Sequence, residues 1–178
     1  MIKFQEIGTK DVRHYKFMEE LLTAAFPAEE YRELQQLREY TDRTGHFHNN
    51  IIFDDYTPIG FITYWDFDCF YYVEHFAINP SLRNGGYGKK VLEYLCEYLP
   101  LPIVLEVEHP NEEMAKRRIN FYQRHGFTLW ENDYKQPPYK AGDHFLPMYL
   151  MVNGNLDRNK DYEEIKNQIY KEVYNVKG

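Results

Sequence analysis

Residues 83–88 read Arg83-Asn84-Gly85-Gly86-Tyr87-Gly88, and Lys89 and Lys90 follow directly. Three glycines and three cations therefore fall within eight residues, after one apolar run and before another. Glycines let a backbone come close to a ligand. The first amides of a helix have no intrahelical acceptor and point outward with the positive end of the helix dipole. A glycine turn that opens a helix is thus an anion site best suited to phosphate, and the cations add to it. Two common phosphate loops are excluded by spacing. A Walker loop needs a glycine where Arg83 stands and a hydroxyl residue where Lys90 stands. A dinucleotide fingerprint needs a third glycine where Val91 stands.

The elements that must hold this turn follow from periodicity. Residues 2–7 alternate as a short strand. Thr9 or Asp11 caps a helix with Val12, Tyr15, Met18, Leu22 and Ala25 on one face, closed by Pro27. A second helix is predicted from Glu29 to Tyr40, with Tyr31, Leu34 and Leu37 inward. Strands follow at "GHFHNNIIFDD", at "IGFITYWDF" after a turn at Thr57 and Pro58, and at "CFYYVEHFAI". Lys89 to Leu99 has helical spacing. "LPIVLEVE" reads as a buried strand. Asn111 caps a helix carrying Ala115, Ile119 and Tyr122, which ends at Gly126. "FTLWEND" and "HFLPMYLMV" are two further strands, and residues 157–176 form an amphipathic helix. The fold expected is α/β (α+β): a mixed, mostly antiparallel sheet of about seven strands with helices on both faces.

Composition bounds the function. A chain of 178 residues suits one domain with a true core. The net charge of -7 argues against a nucleic-acid partner, which would want a basic face. The apolar runs are too short to span a bilayer, and the N-terminal residues have no signal-peptide core, so no membrane partner is expected and a cytoplasmic location is. Two cysteines, Cys69 and Cys96, argue against a disulfide framework.

Arg83-x-x-Gly86-x-Gly88 resembles the acyl-CoA pyrophosphate loop of the GNAT superfamily of N-acetyltransferases, Arg/Gln-x-x-Gly-x-Gly/Ala. The strand "YVEHFAINP" before it and "INFYQRHGF" beyond it resemble the family's fourth strand and second signature. The likeness covers residues 1–151; residues 152–178 lie outside it as a helix packed on the domain or at a dimer contact. It implies transfer of an acetyl group from acetyl-CoA to an amine, most simply a primary amine of a small molecule, with a protein or peptide acceptor or a non-catalytic acyl-CoA-binding module as the alternatives. The partner expected is then a small-molecule amine, acting on a monomer or homodimer.

The resemblance also implies roles. Tyr122, four residues before Gly126, stands where the family often has its general acid. A phenol of pKa ~10 stays protonated at neutral pH and can serve a thiolate of pKa ~8.5. A packed tyrosine is the plainer alternative. Glu74, which shares a strand face with Tyr72, Phe76 and Ile78, is the candidate base, with a salt bridge as the even alternative. Main-chain groups of Phe76, Ala77 and Ile78 would line the cofactor arm and the oxyanion. Arg83 and the amides of Asn84, Gly85, Gly86, Tyr87, Gly88 and Lys89 would hold the pyrophosphate. Many members carry an Asn seven residues before the acid; Ala115 stands there, which leaves Asn120 or Arg118 to contact the cofactor. Loop "ENDYKQPPYKAGDH" is expected to act as a lid, with Tyr134 and Tyr139 walling a pocket. His46 and His48 lack the further ligands a metal site needs, so none is expected.

Overall fold

The computed structural model describes residues 1–43, 45–82 and 84–176. Seven strands form one mostly antiparallel sheet in the order β1-β2-β3-β4-β5-β7-β6. The chain divides into two compact units: residues 1–66 with 73–100, and residues 67–72 with 101–178.

The first unit opens with β1 (Ile2–Glu6) and helix α1 (Val12–Ala25), whose N-cap Asp11 accepts a hydrogen bond from the His14 amide. A single 3-10 turn (Ala28–Glu30) precedes α2 (Leu34–Arg43), so the second helix starts later than predicted. Strands β2 (Phe47–Asp54) and β3 (Thr57–Asp66) pair antiparallel. The turn between them falls at Asp55 and Tyr56, not at Thr57 and Pro58, because Asp55 takes the left-handed conformation (φ 52°). Pro58 is tolerated inside β3 because the ladder slips between Ile52 and Phe53, and it pairs at that bulge. Strand β4 (Tyr71–Ile78), from Val73 onward, and helix α3 (Tyr87–Tyr98) complete the unit. Met18, Leu22, Ile51, Phe61, Ile62, Val91 and Leu92 are its buried centre.

Gly60 sets the distance between β3 and β4. A Cβ there would lie 2.4 Å from the Ala77 carbonyl oxygen and 3.2 Å from the Ile78 Cα, both main-chain atoms that cannot yield cheaply. Gly60→Ala should therefore lower stability by about 1–3 kcal/mol, the usual range for overpacking. A denaturant midpoint unchanged from wild type would show that β4 can shift freely.

The second unit holds β5 (Ile103–Glu108), α4 (Glu113–Arg124), β6 (Thr128–Gln136) and β7 (Leu146–Asn153). β7 pairs antiparallel with both β5 and β6. The apolar run of β5 buries Ile103, Val104, Leu105 and Val107, so side chains on both faces are covered. β6 runs on to Gln136 through an irregularity between Trp130 and Tyr134. The segment expected as a lid is therefore half strand, and its loop shrinks to residues 137–145. The C-terminal helix α5 (Arg158–Gln168), capped by Asp157, continues as one π turn (Ile169–Val173). Its stripe of Tyr162, Ile165, Ile169 and Val173 is buried.

Candidate active site

The glycine turn has the backbone that an anion site needs. Asn84 and Gly86 are both left-handed, with φ of 71° and 73°. Alternating left-handed residues turn successive amides toward one point. Gly86 is the N-cap, so α3 begins at Tyr87, two residues before the predicted start. The Lys90 amide makes the first i→i−4 bond, to Gly86, at 3.3 Å. The amides of Tyr87, Gly88 and Lys89 precede it and have no acceptor within the helix. The Tyr87 side chain is engaged elsewhere: its hydroxyl donates to Asp54 Oδ2 at 2.9 Å, and its ring covers Gly85, where a Cβ would meet it at 3.2 Å. The Asp54 contact raises the Tyr87 phenol above its ordinary value. The Tyr87 side chain thus braces the turn. Arg83 lies outside the described residues.

Upstream, Phe76, Ala77 and Ile78 at the end of β4 are half-buried. Glu74, on the same strand, carries a carboxylate that is 1% exposed. Its Oε2 lies 2.6 Å from Nη2 of Arg32, itself 3% exposed, and its Oε1 accepts from Trp65 Nε1 at 2.7 Å. The Arg32 guanidinium also lies 4.5 Å from the Tyr40 ring centroid and 5.9 Å from that of Trp65. The structure thus gives Glu74 an ion pair, with a partner the sequence did not reveal. Arg32 stands in "YRELQQL", where periodicity reads it as a solvent-facing helical residue. On the opposite face His75 donates from Nε2 to the Glu30 carbonyl at 2.8 Å and packs on Phe26. Burial pushes the His75 imidazole down, which keeps it neutral. Two successive β4 residues therefore grip the connection between α1 and α2.

Tyr122 occupies the last turn of α4. The helix ends in a Schellman motif: Phe127 N–H donates to the Tyr122 carbonyl at 3.1 Å and Gly126 N–H to that of Gln123 at 3.2 Å. Gly126 supplies the left-handed residue, with φ of 88°. The Phe127 ring packs on Tyr122 at 5.3 Å, as the motif's apolar contact requires. The spacing Tyr-x-x-x-Gly-Phe is thus a helix-stop motif that fixes where the tyrosine points. Burial pushes the Tyr122 phenol up to about 12, and Arg118, one turn earlier, pulls it back down. Among the described residues no side chain or main-chain group hydrogen-bonds its hydroxyl. Ala115 is buried, and Asn120 and Arg118 are exposed on the same helix.

The second unit also contains a buried polar cluster that the sequence reading missed. Glu106 on β5 accepts hydrogen bonds from Gln136 Nε2 at 2.7 Å, Tyr174 Oη at 2.8 Å and Tyr134 Oη at 2.5 Å. Tyr72 Oη lies 3.3 Å from Tyr174 Oη. Desolvation raises the Glu106 carboxyl above its ordinary value, while these donors oppose the shift. Glu106 stands between apolar neighbours in "IVLEV", and that interior carboxylate was the available signal. Tyr134, expected at the wall of a pocket, is one of its donors.

The residues from Tyr15 to Phe127 match the acetyltransferase (GNAT) family model. A Bacteroides thetaiotaomicron protein of solved structure, named as a GNAT-family acetyltransferase, is 76% identical over 98% of this chain and 99% of its own, with a TM-score of 0.97. The chain belongs to the GNAT acetyltransferase family. It is therefore an acetyltransferase, of a class whose acetyl donor is acetyl-CoA. The PaiA N-acetyltransferase of Thermoplasma acidophilum, solved with coenzyme A, is 18% identical over 87% of this chain and 99% of its own, with a TM-score of 0.59. The ribosomal-protein-S18-alanine N-acetyltransferase of Escherichia coli is 18% identical over 89% and 98%, with a TM-score of 0.58. These two share the fold. No curated protein matches the chain by sequence. Among the described residues no helix is long and apolar enough to cross a membrane.

Proposed function

We propose that this chain moves an acetyl group from acetyl-CoA to a primary amine of a small molecule, by direct attack through a tetrahedral intermediate. The observation that carries the reading is the paired left-handed turn at Asn84 and Gly86 in front of α3. In this reading the amides from Asn84 to Lys89 hold the pyrophosphate, with Gly85, Gly86 and Gly88 letting it approach. Arg83 and Asn120 add side-chain contacts. Main-chain groups of Phe76, Ala77 and Ile78 align the cofactor arm and donate to the oxyanion.

Tyr122 serves the departing sulfur. Its pKa of about 12 keeps the phenol protonated. Full transfer of that proton to a thiolate of pKa ~8.5 is uphill by roughly 3 to 4 units, or about 5 kcal/mol. The phenol therefore acts first as a hydrogen-bond donor to the developing thiolate, with Arg118 offsetting negative charge on its oxygen. Glu74 remains the candidate base only if it surrenders a buried guanidinium when it takes a proton. Its ion pair favours an anchoring role, in which Glu74 and Arg32 hold the connection between α1 and α2.

A small acceptor is favoured by the polar connection 137–145, which is long enough to cover a compact ligand and carries Tyr139. The test is thiol release from acetyl-CoA across polyamines, aminoglycosides, amino acids and short peptides, with a control lacking amine. Release dependent on a small amine is expected. Release with peptides alone moves the acceptor to the protein class. Binding of acetyl-CoA with no release for any amine would overturn the catalytic reading in favour of an acyl-CoA-binding module.

A further inference from the structure

The glycine turn before α3 is held at both ends. Upstream, Asn79 fixes the approach. Its amide donates to the Ile59 carbonyl at 2.7 Å, its carbonyl accepts from the Leu82 amide at 2.9 Å, and its Oδ1 accepts from the Ser81 amide at 3.1 Å. Downstream, the hold is a side chain: Tyr87 Oη donates to Asp54 Oδ2 at 2.9 Å. Among the described residues from 84 to 90, no other side chain hydrogen-bonds outside the segment. Lys89 pairs only along its own helix, 3.9 Å from Glu93.

Between these ends the backbone is strained. Asn84 is left-handed without being glycine, with φ of 71°, and such a conformation persists where its surroundings impose it. The Tyr87 ring is applied closely to the same stretch. A Cβ at Gly85 would lie 3.2 and 3.3 Å from Tyr87 Cδ2 and Cε2, and 3.4 Å from the Leu82 carbonyl oxygen. Gly85 thus makes room for the ring. A chain of contacts runs from Asp54, at the end of β2, through the phenol to the turn. Asp54 is itself fixed, because its Oδ1 accepts from the Met1 ammonium at 2.8 Å. The ammonium first, and then the phenol, hold its carboxyl below the ordinary value, so it is an anion at neutral pH. An anion close to a diphosphate site opposes binding by charge alone.

We infer that Asp54 is a positioning residue for the acetyl donor: by latching Tyr87 it sets the turn in its anion-binding shape before the diphosphate arrives. This preorganisation outweighs the repulsion of the carboxylate. The inference rests on the reading that the turn holds the pyrophosphate of CoA, and it adds a residue that acts on that site through another side chain.

The experiment titrates the full chain calorimetrically with CoA, with a melting curve for each variant to show that it is folded. Asp54→Ala is expected to weaken CoA binding by about three- to tenfold, the scale of one partly exposed hydrogen bond to a charged group. Asp54→Asn keeps the acceptor and sheds the charge, so it should bind at least as tightly as wild type. Charge alone would make both variants bind tighter. Tyr87→Phe should match Asp54→Ala, and the double variant should stay within about twofold of either single one, because both remove the same bond. Binding by Asp54→Ala as tight as that of Asp54→Asn, or losses that add in the double variant, overturns the latch. Gly86→Val keeps the two readings apart, since a β-branched side chain at φ 73° distorts the turn itself. A loss of about tenfold or more in Gly86→Val with none in Asp54→Ala removes the latch alone. Wild-type CoA affinity in Gly86→Val removes the pyrophosphate reading of the turn, and the latch with it.

Discussion

Tyr122→Phe should lower kcat by about 10²- to 10³-fold, the usual effect of losing one donor to charge that develops in the transition state. The KM for acetyl-CoA should move by no more than a few-fold, because the hydroxyl meets the sulfur only as it departs. Stability should change little or rise: the hydroxyl bonds to no described residue, and Phe keeps the ring against Phe127. Steady-state kinetics on the best amine from the panel, with a melting curve, checks both halves. A kcat within threefold of wild type would remove Tyr122 from the chemistry and leave it as the apolar partner of the helix stop. The pH profile gives a second check. A phenol near 12 stays protonated across the working range, so the wild-type alkaline limb should not titrate near 10.

Arg32→Ala should be the most destabilising single change in the first unit, by about 3–5 kcal/mol, because it strands the Glu74 carboxylate in a buried setting. Both side chains are almost wholly covered, at 3% and 1% exposure, so solvent does not screen the pair. Replacing both partners, Arg32→Met with Glu74→Leu, should recover much of the loss, since a well-packed apolar pair often equals a buried ion pair. Chemical denaturation of the two single variants and the double variant tests this. Glu74→Gln then separates anchor from base. An anchor variant loses stability and keeps the acid limb of the pH–rate profile. A base variant loses that limb and most of its turnover while melting near wild type.

Much of the fold was legible because it is coded locally. The order of helices and strands follows from periodicity and from stop signals such as Pro27 and Gly126. Boundaries slipped where a single residue's conformation decides them. Asp55 and Gly86, both left-handed, moved a turn and a helix start. The strand Thr128–Gln136 ran past its predicted end because its partner β7 continues to pair through Gln136 and Leu146, a long-range fact absent from the segment itself. The glycine turn before α3 and the helix stop after Tyr122 were readable for the same reason, since each is a short motif. The partners of Glu74 and Glu106 were not. Arg32 lies 42 residues from Glu74, and Tyr174 lies 68 from Glu106. Such pairs have no spacing rule, because only the assembled sheet brings them together.

The helix stop at Tyr122 has an implication for how this chemistry can be transplanted. Six consecutive residues, Tyr122 to Phe127, contain the proposed donor, the carbonyl that closes the turn, the left-handed glycine and the ring that seals it. The geometry of the donor is thus inherited with the peptide rather than negotiated by distant contacts. A designer grafting this segment onto the end of another helix would carry the phenol's orientation along with it. Drift elsewhere in the chain can be extensive before the donor is misaimed, whereas a Cβ at Gly126 would strain a left-handed backbone and meet Asn153 Nδ2 at 3.1 Å.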